Sequence, residues 1–261
     1  MIRSICITIV ALAALTTCSQ AGLIIYEDVS ETPGNDAVNV NHAHIYSATS
    51  SGLKDFVTGA TTSVGMIGTT GVNQGLTSSV LAVAAGTDYA DTFGGVFDIS
   101  GGLAAYYNRP IVDGVYNWTF SISGLDPALQ YEIALASNCN ANNTTYAGAN
   151  QWKANFTIEG VDSFVNASTA GTLIGTKNVA NDTASIVQIN QVNGYVPRFS
   201  NINPGSDGVI TIRVTGDAVN PAFPGAQPGV YLNGFRLAEV PEPATMALLA
   251  LGMVTLLRRR R

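Results

Sequence analysis

The sequence predicts an all-β protein, a single antiparallel β-sandwich, on three observations. Only 11% of its residues are Asp, Glu, Lys or Arg, against about 25% in an average soluble domain, and 27 are glycine. Apolar residues recur with a period of two along most of the chain, and turn sequences separate the alternating stretches. These features favour many short strands over a helical bundle, whose surface is normally rich in Glu and Lys.

The chain begins with a segment typical of a secretory signal peptide, residues 1–21. Arg3 provides the positive charge, and Ile5–Leu15 is an uncharged apolar stretch, too short to span a bilayer. Small residues precede the expected cleavage point between Ala21 and Gly22. Signal peptidase is therefore an expected partner.

Two of the three cysteines, Cys6 and Cys18, lie in this signal segment. Lipidation at Cys18 is an alternative, but Thr17 stands where Gly, Ala or Ser is usual. Cleavage after Ala21 would remove Cys6 and Cys18 and leave Cys139 alone, which excludes an internal disulfide and a thiolate zinc site. We interpret Cys139 as structurally incidental, and not as a nucleophile, because no histidine follows it in the chain to activate it.

Residues 22–239 read as one domain, because no linker or repeat divides them. Alternating strands with one apolar and one polar face are clearest at residues 118–123, 131–135, 156–158 and 210–215. Turn residues occupy 124–127 and 203–208, and predict a hairpin or a corner at each. Thr77–Ala85 is the one internal segment with helical potential, although its alternation equally fits a strand.

Residues 240–261 differ from the body. After Pro241-Glu242-Pro243, an uncharged stretch from Ala244 to Leu257 predicts a short transmembrane helix, about 21 Å long. Arg258, Arg259, Arg260 and Arg261 then act as stop-transfer charges, which places the tail inside the cytoplasm and the body outside. A buried core element is a poor alternative, because it would not end in four arginines.

This order of motif, apolar helix and terminal arginines resembles the PEP-CTERM sorting signal. The resemblance implies that Pro241, Glu242 and Pro243 are recognised by an exosortase, a membrane transpeptidase-like protease, and that the tail is removed. It also implies transit through the inner membrane of a bacterium that makes extracellular polysaccharide. The implied destination is the envelope surface or the biofilm matrix.

The second half of the body is similar to galactose-binding-like jelly rolls of exported bacterial proteins. The similarity lies in the pattern of residues 118–127, 131–135, 209–214 and 231–237, and it transfers no ligand residue. In those folds a closing strand of the Tyr-Leu-Asn-Gly type, here Tyr231–Gly234, pairs near the start of the domain.

The charge of the body excludes nucleic acid as a partner. Of 12 basic residues, five lie in the two terminal segments, and of 18 acidic residues one, Glu242, lies there, which leaves 7 basic against 17 acidic residues. A body with a net charge near −10 repels a phosphate backbone.

The two histidines and the nearby carboxylates are candidate metal ligands. His42 and His44 would share a strand face and form a metal pair, with Asp36 or Glu31 as a third ligand, but two surface histidines are the simpler interpretation and no metal ligand is assigned. Calcium is compatible with the abundant oxygen ligands, although no EF-hand spacing identifies them.

The sequence also contains carboxylates that are candidates for catalysis, but their pattern is less specific than that of the candidate metal ligands. Asp88, Asp91, Asp98 and Asp113 are isolated carboxylates that more often form turns or helix caps than a glycosidase pair. The segment Asn138–Trp152 is the best candidate binding loop, since aromatic rings stack on sugars and amides bond their hydroxyls. We therefore expect a non-enzymatic structural or polysaccharide-binding component, with a secreted glycan hydrolase as the alternative.

Overall fold

The computed structural model describes residues 22–28, 36–42, 49–68, 74–77, 82–97, 105–108, 111–112, 115–138, 153–175, 179–187, 190–216 and 230–241. The strands in these residues are β1 Ile24–Asp28, β2 Thr49–Ser50, β3 Gly65–Gly68, β4 Gln74–Thr77, β5 Ala105–Asn108, β6 Ile111–Val112, β7 Val115–Ser123, β8 Gln130–Ala136, β9 Lys153–Glu159, β10 Ser163–Asn166, β11 Leu173–Gly175, β12 Thr183–Val187, β13 Arg198–Asn203, β14 Ile210–Gly216, β15 Val230–Leu232 and β16 Gly234–Val240. A short helix, α1, spans Asp88–Phe93.

Two large antiparallel sheets dominate this part of the chain. The first has five strands in the order β1-β16-β8-β13-β10. The second has eight, in the order β11-β12-β9-β14-β7-β3-β2 with β6 paired to β7, and a small third sheet has the order β15-β5-β4. The prediction of a β-rich, antiparallel fold with little helix is confirmed.

The main core lies between the two large sheets. Alternate residues of facing strands meet there, and the stacked rings of Phe120 and Phe235, 5.5 Å apart, join one sheet to the other. Ile212 on β14 and Ile133 on β8 are completely buried in the same cluster. Each such side chain contributes about 1.5–3 kcal/mol of hydrophobic stabilisation, so the sandwich is held mainly by these alternating positions.

A second core covers the outer face of the five-stranded sheet. Ala134 and Ala136 on β8 point away from the main core, yet both are completely buried, against Tyr89 and Phe93 of α1. The expectation that each strand has one polar face is therefore wrong for β8. Small alanine side chains let a helix and its aromatic rings approach the sheet closely.

Both predicted turns are confirmed, and both are corners between the two large sheets. Residues 124–129 connect β7 to β8, and residues 204–209 connect β13 to β14, so that each joins strands of different sheets. The hydroxyl of Tyr131 accepts a hydrogen bond from the backbone N–H of Asp126 at 2.9 Å and fixes the first corner.

The prediction of helical potential for Thr77–Ala85 is not confirmed where it can be compared. Thr77 ends β4, and residues 82–85 are neither helix nor strand. The helix begins instead at Asp88, where Thr87 is the N-cap and its side chain accepts from Ala90 N–H. Packing of Tyr89 and Phe93 onto the sheet stabilises a helix too short to form alone.

Candidate functional site

The first and last strands of the described body pair with each other. β1 and β16 are antiparallel, with Ile24 opposite Ala238. The pairing continues at the backbone level beyond β1, because Glu239 N–H donates to the carbonyl of Leu23 at 2.8 Å. The Glu239 carboxylate in turn accepts from Leu23 N–H at 2.8 Å. The β-rich body is consistent with the jelly-roll resemblance, but the closing strand is β16, which begins at Gly234, whereas Tyr231 and Leu232 lie on β15 and pair with β5.

The closure brings the two expected processing junctions to one end of the molecule. Gly22, the expected first residue after signal cleavage, lies beside Glu239. Pro241 is exposed and follows directly on Val240, the last residue of β16. The Pro-Glu-Pro sequence therefore begins without a linker after a strand that lies inside the five-stranded sheet.

The remaining residues of the two terminal segments lie outside the described residues. These are the signal segment 1–21, including Ala21, and the tail residues Glu242, Pro243, the apolar stretch and Arg258 to Arg261. Within the described part of the chain, no helix combines the length and apolar character needed to cross a membrane.

A second feature lies at the opposite end of β1, where Asp28, Asp36 and His42 form a cluster. One oxygen or nitrogen atom from each of the three side chains lies within 4.8 Å of the other two. His42 Nδ1 is 3.9 Å from Asp28 Oδ2, and His42 Nε2 is 3.7 Å from Asp36 Oδ2. The side chains of Asp28 and Asp36 are only 3% and 4% exposed, and that of His42 is 18% exposed.

Backbone pairing positions this cluster, which we call the Asp–Asp–His cluster. Asn41 N–H donates to the carbonyl of Tyr26, and Asp28 N–H donates to the carbonyl of Asn41, each at 2.9 Å. The Asn41 side chain also donates to the Tyr26 carbonyl and accepts from Lys54 N–H. Asn41 therefore binds residues 36–42 to the open edge of β1 and places His42 next to Asp28.

Tyr89 of α1 approaches the cluster from the second core. Its side chain is completely buried, and its hydroxyl has no hydrogen-bond partner in the described structure. Burial, together with the nearby negative charge of Asp28, raises the pKa of the Tyr89 hydroxyl. The Tyr89 phenol is therefore neutral, and its hydroxyl keeps a hydrogen that it can donate.

Two residues that the sequence suggests as metal ligands, Asp36 and His42, meet in this cluster. The side chain of His42 is 18% exposed, so it is partly accessible from the surface. The sequence does not indicate that Asp28 and Tyr89 belong to this site, because neither has the spacing of a known ligand motif. The one signal for Asp28 is its position at the end of a strand.

Asp88, one of the catalytic candidates, belongs to a structural network instead. It accepts hydrogen bonds from Arg198 at 2.8 Å, Thr92 at 3.0 Å and Thr169 at 2.5 Å. Burial opposes ionisation, but the hydrogen bond from Thr169 and the charge of Arg198 outweigh it and lower the pKa of Asp88. A carboxylate held ionised in this way is unsuited to the role of general acid.

The other candidates separate into two groups. Asp91 is exposed on α1, and Asn138, the first residue of the candidate binding loop, is completely buried, with its N–H donating to Asn233 Oδ1 at 2.6 Å. Asn138 is thus part of the framework and not of an exposed loop. The rest lie outside the described residues: Glu31, His44, Asp98, Asp113, Cys139 and the remainder of 139–152.

Comparison with known proteins identifies the C-terminal segment. The model of the PEP-CTERM protein-sorting motif matches residues 239–261. No curated protein and no solved structure matches the chain significantly. The match begins at Glu239, inside β16, and covers the segment whose motif, apolar stretch and arginines resembled that signal. At its C-terminus the chain therefore carries a PEP-CTERM protein-sorting motif, which implies sorting by an exosortase to the cell surface.

Proposed function

We propose that this protein is secreted through the signal peptide 1–21, held by its tail and released by an exosortase, and that its β-domain is a non-enzymatic component of the envelope surface or the extracellular matrix. The observation that carries the proposal is the sorting motif at residues 239–261. The proposed role of the β-domain is either structural or the binding of extracellular polysaccharide. Signal peptidase and the exosortase are its processing partners.

The position of the chain ends supports two-ended processing. Gly22 and Pro241 leave the body at the same end, on neighbouring antiparallel strands. A signal peptide and an apolar tail attached there would enter the membrane side by side, with the whole body on one face. This arrangement suits the orientation that Arg3 and Arg258–Arg261 indicate.

The arrangement of the ion pairs supports a non-enzymatic role. Three of the body's carboxylates contact arginines of neighbouring elements: Asp88 of α1 with Arg198 of β13, and, between paired strands, Glu132 with Arg236 and Glu159 with Arg213. Arg213 donates both Nε and a terminal nitrogen to Glu159, at 2.6 and 2.7 Å. Such pairs order the polar surfaces of the sheets and engage these carboxylates in contacts within the fold.

The test of sorting uses two tail variants in a host that has an exosortase. Glu242→Ala should accumulate as a larger, membrane-embedded form, because the segment from Ala244 stays attached. Deletion of Arg258–Arg261 should let some uncleaved protein escape the inner membrane, since the stop-transfer charges are lost. Cell fractionation with mass measurement distinguishes the two results.

The matched control is Asp207→Ala, which removes an exposed carboxylate from the body and should be processed like the wild type. All variants should enter the export pathway, because residues 1–21 are intact. Normal processing and release of both tail variants would refute exosortase sorting.

The role of the body is tested separately. A glycan array with the released protein should show binding to polysaccharide if the body is a binding module, and no binding if it is structural. Incubation of the same protein with those glycans should leave them uncut. Cleavage would contradict the non-enzymatic proposal and favour the glycan hydrolase.

A further inference from the structure

We propose that Asp28, Asp36 and His42 form a binding site for a divalent transition-metal ion of the zinc class. The proposal is independent of the sorting function, because the three residues lie in the body. Three protein ligands, with water completing the shell, are a common composition for such ions.

The size of the cluster fits one ion. Because the three ligand atoms all lie within 4.8 Å of one another, some point lies no more than about 2.8 Å from each of them. Zinc bonds to nitrogen and carboxylate oxygen are about 2.0–2.2 Å long, so side-chain movements of less than an ångström would complete the contacts. Backbone bonds from Asn41 already hold the two segments together.

The charges of the three side chains favour a cation. Asp28 and Asp36 are almost fully buried, and ionised carboxylates are costly to bury close together. The cluster brings two carboxyl groups together with one imidazole, so it offers two potentially anionic ligands and one neutral ligand to an ion. A divalent cation bound by both carboxylates would offset the cost of placing them close together, and neutral imidazole is the form in which histidine is a ligand.

Tyr89 provides an observation independent of the charge cluster. A completely buried hydroxyl without a partner costs free energy, and this one lies near Asp28. Water bound to a metal ion in the cluster, or a reoriented Asp28 oxygen, would accept its hydrogen. Hydrogen bonds of this kind to the ligands of an ion are typical of metal sites.

The ligand types select the metal. Calcium and magnesium prefer shells made of oxygen, whereas imidazole suits zinc and its neighbours in the transition series. His42 therefore favours a zinc-class ion over calcium.

The experiment uses the full chain purified in detergent and stripped of metal by dialysis against a chelator. Isothermal titration with zinc chloride should show binding of one ion per chain, and the same ion should raise the melting temperature. A hundredfold excess of calcium chloride should not displace it.

Single variants test the contributions of the ligands and of Tyr89 separately. Asp28→Asn and His42→Gln should each weaken zinc binding by more than about tenfold, whereas the exposed control Asp207→Asn should not. Tyr89→Phe removes only the unpartnered hydroxyl, so it should leave the metal-free protein at least as stable and reduce the melting shift given by zinc. Far-UV circular dichroism checks that each variant folds.

Several outcomes would overturn the proposal. One is the absence of stoichiometric zinc binding by the wild-type chain; another is unchanged binding when either Asp28 or His42 is replaced in a folded variant. Displacement of zinc by calcium would overturn the assignment to the transition metals. A destabilised metal-free Tyr89→Phe variant would show that the hydroxyl already has a partner and contradict its part in the site.

Discussion

At the scale of single residues, Asp88 shows how a carboxylate that looks catalytic in sequence becomes structural. It lies on α1 and bonds to Arg198 on β13 and to Thr169 after β10, so it links the helix to the five-stranded sheet. A lone Asp in the sequence gives no indication of these partners, because they are 110 and 81 positions away.

Asp88→Asn should destabilise the protein by about 1–2 kcal/mol at pH 7, since it weakens hydrogen bonds made to a charged group. The pKa of Asp88 is lowered in the folded state, so its contribution is present above the usual Asp value of about 3.9 and is lost as the pH falls below it. Denaturant melts at pH 7 and pH 3 should show the difference from wild type shrinking at acid pH. An equal difference at both values would contradict the role of charge.

At the scale of elements, the corner between β7 and β8 depends on Gly124. Its φ is +77°, and a Cβ there would lie 2.3 Å from the carbonyl oxygen of Ser63. Gly160 has nearly the same φ, +73°, but a Cβ there would meet nothing closer than 3.9 Å.

Gly160→Ala should therefore cost about 1–2 kcal/mol, for the backbone conformation alone. Gly124→Ala should cost clearly more, because the loop that contains Ser63 must also move. Thermal or denaturant melts of the two variants measure the difference. Equal losses would show that the close approach to Ser63 contributes nothing.

The helix α1 has its own test. Phe93 is completely buried, stacks on Phe97 at 5.4 Å and meets Tyr89 edge-on at 5.0 Å. Phe93→Ala should cost about 3–5 kcal/mol through the cavity it leaves. Val192, which is 81% exposed, is the control, and Val192→Ala should change the stability little. A loss below about 1 kcal/mol for Phe93→Ala would show that the second core is not tightly packed.

The sequence predicts the strands of the two large sheets better than the helix α1, which packs on the outer face of the five-stranded sheet. Period-two alternation identified β7, β8, β9 and β14, and Gly-Pro-Asp turns marked where β7 and β13 end. The helix α1 was not predicted, because six residues are too few to show a period of 3.6. Its stability comes from Tyr89 and Phe93 packing on distant alanines of β8, a tertiary effect that local pattern does not contain.

The candidate site was predictable to a similar, partial extent. His42 and Asp36 lie six positions apart, and their association was considered from the sequence alone. Asp28 joins them only because Asn41 pairs with β1, and such pairing of distant segments has no signature in the sequence. The sorting motif, in contrast, was identifiable completely, since it is a linear signal that a protease would read as a peptide.

At the scale of the whole molecule, the domain closes on itself by pairing its first and last strands. An ideal Cβ on Gly22 would lie 3.0 Å from Cβ of Glu239, which is shorter than the separation of about 3.5–4.5 Å found in disulfides, so a small movement of the two segments apart would allow the bond. The double variant Gly22→Cys with Glu239→Cys, in a Cys139→Ser background, should therefore form a disulfide after export.

Non-reducing peptide mapping should recover the N-terminal peptide joined to the peptide that contains residue 239. Either single cysteine variant is the control and should show a free thiol. Two free thiols in the exported double variant would contradict the pairing of the chain ends.

The central claim is that two proteases process the two chain termini, which lie at the same end of the β-domain. Signal peptidase removes the signal peptide, and an exosortase removes the tail. The most direct test is the intact mass of the protein from one host with and without its exosortase. With the enzyme, the mass should be that of a chain that starts at Gly22 and lacks the apolar segment Ala244–Leu257; without it, the chain should extend to Arg261. The same mass from both hosts would contradict the account.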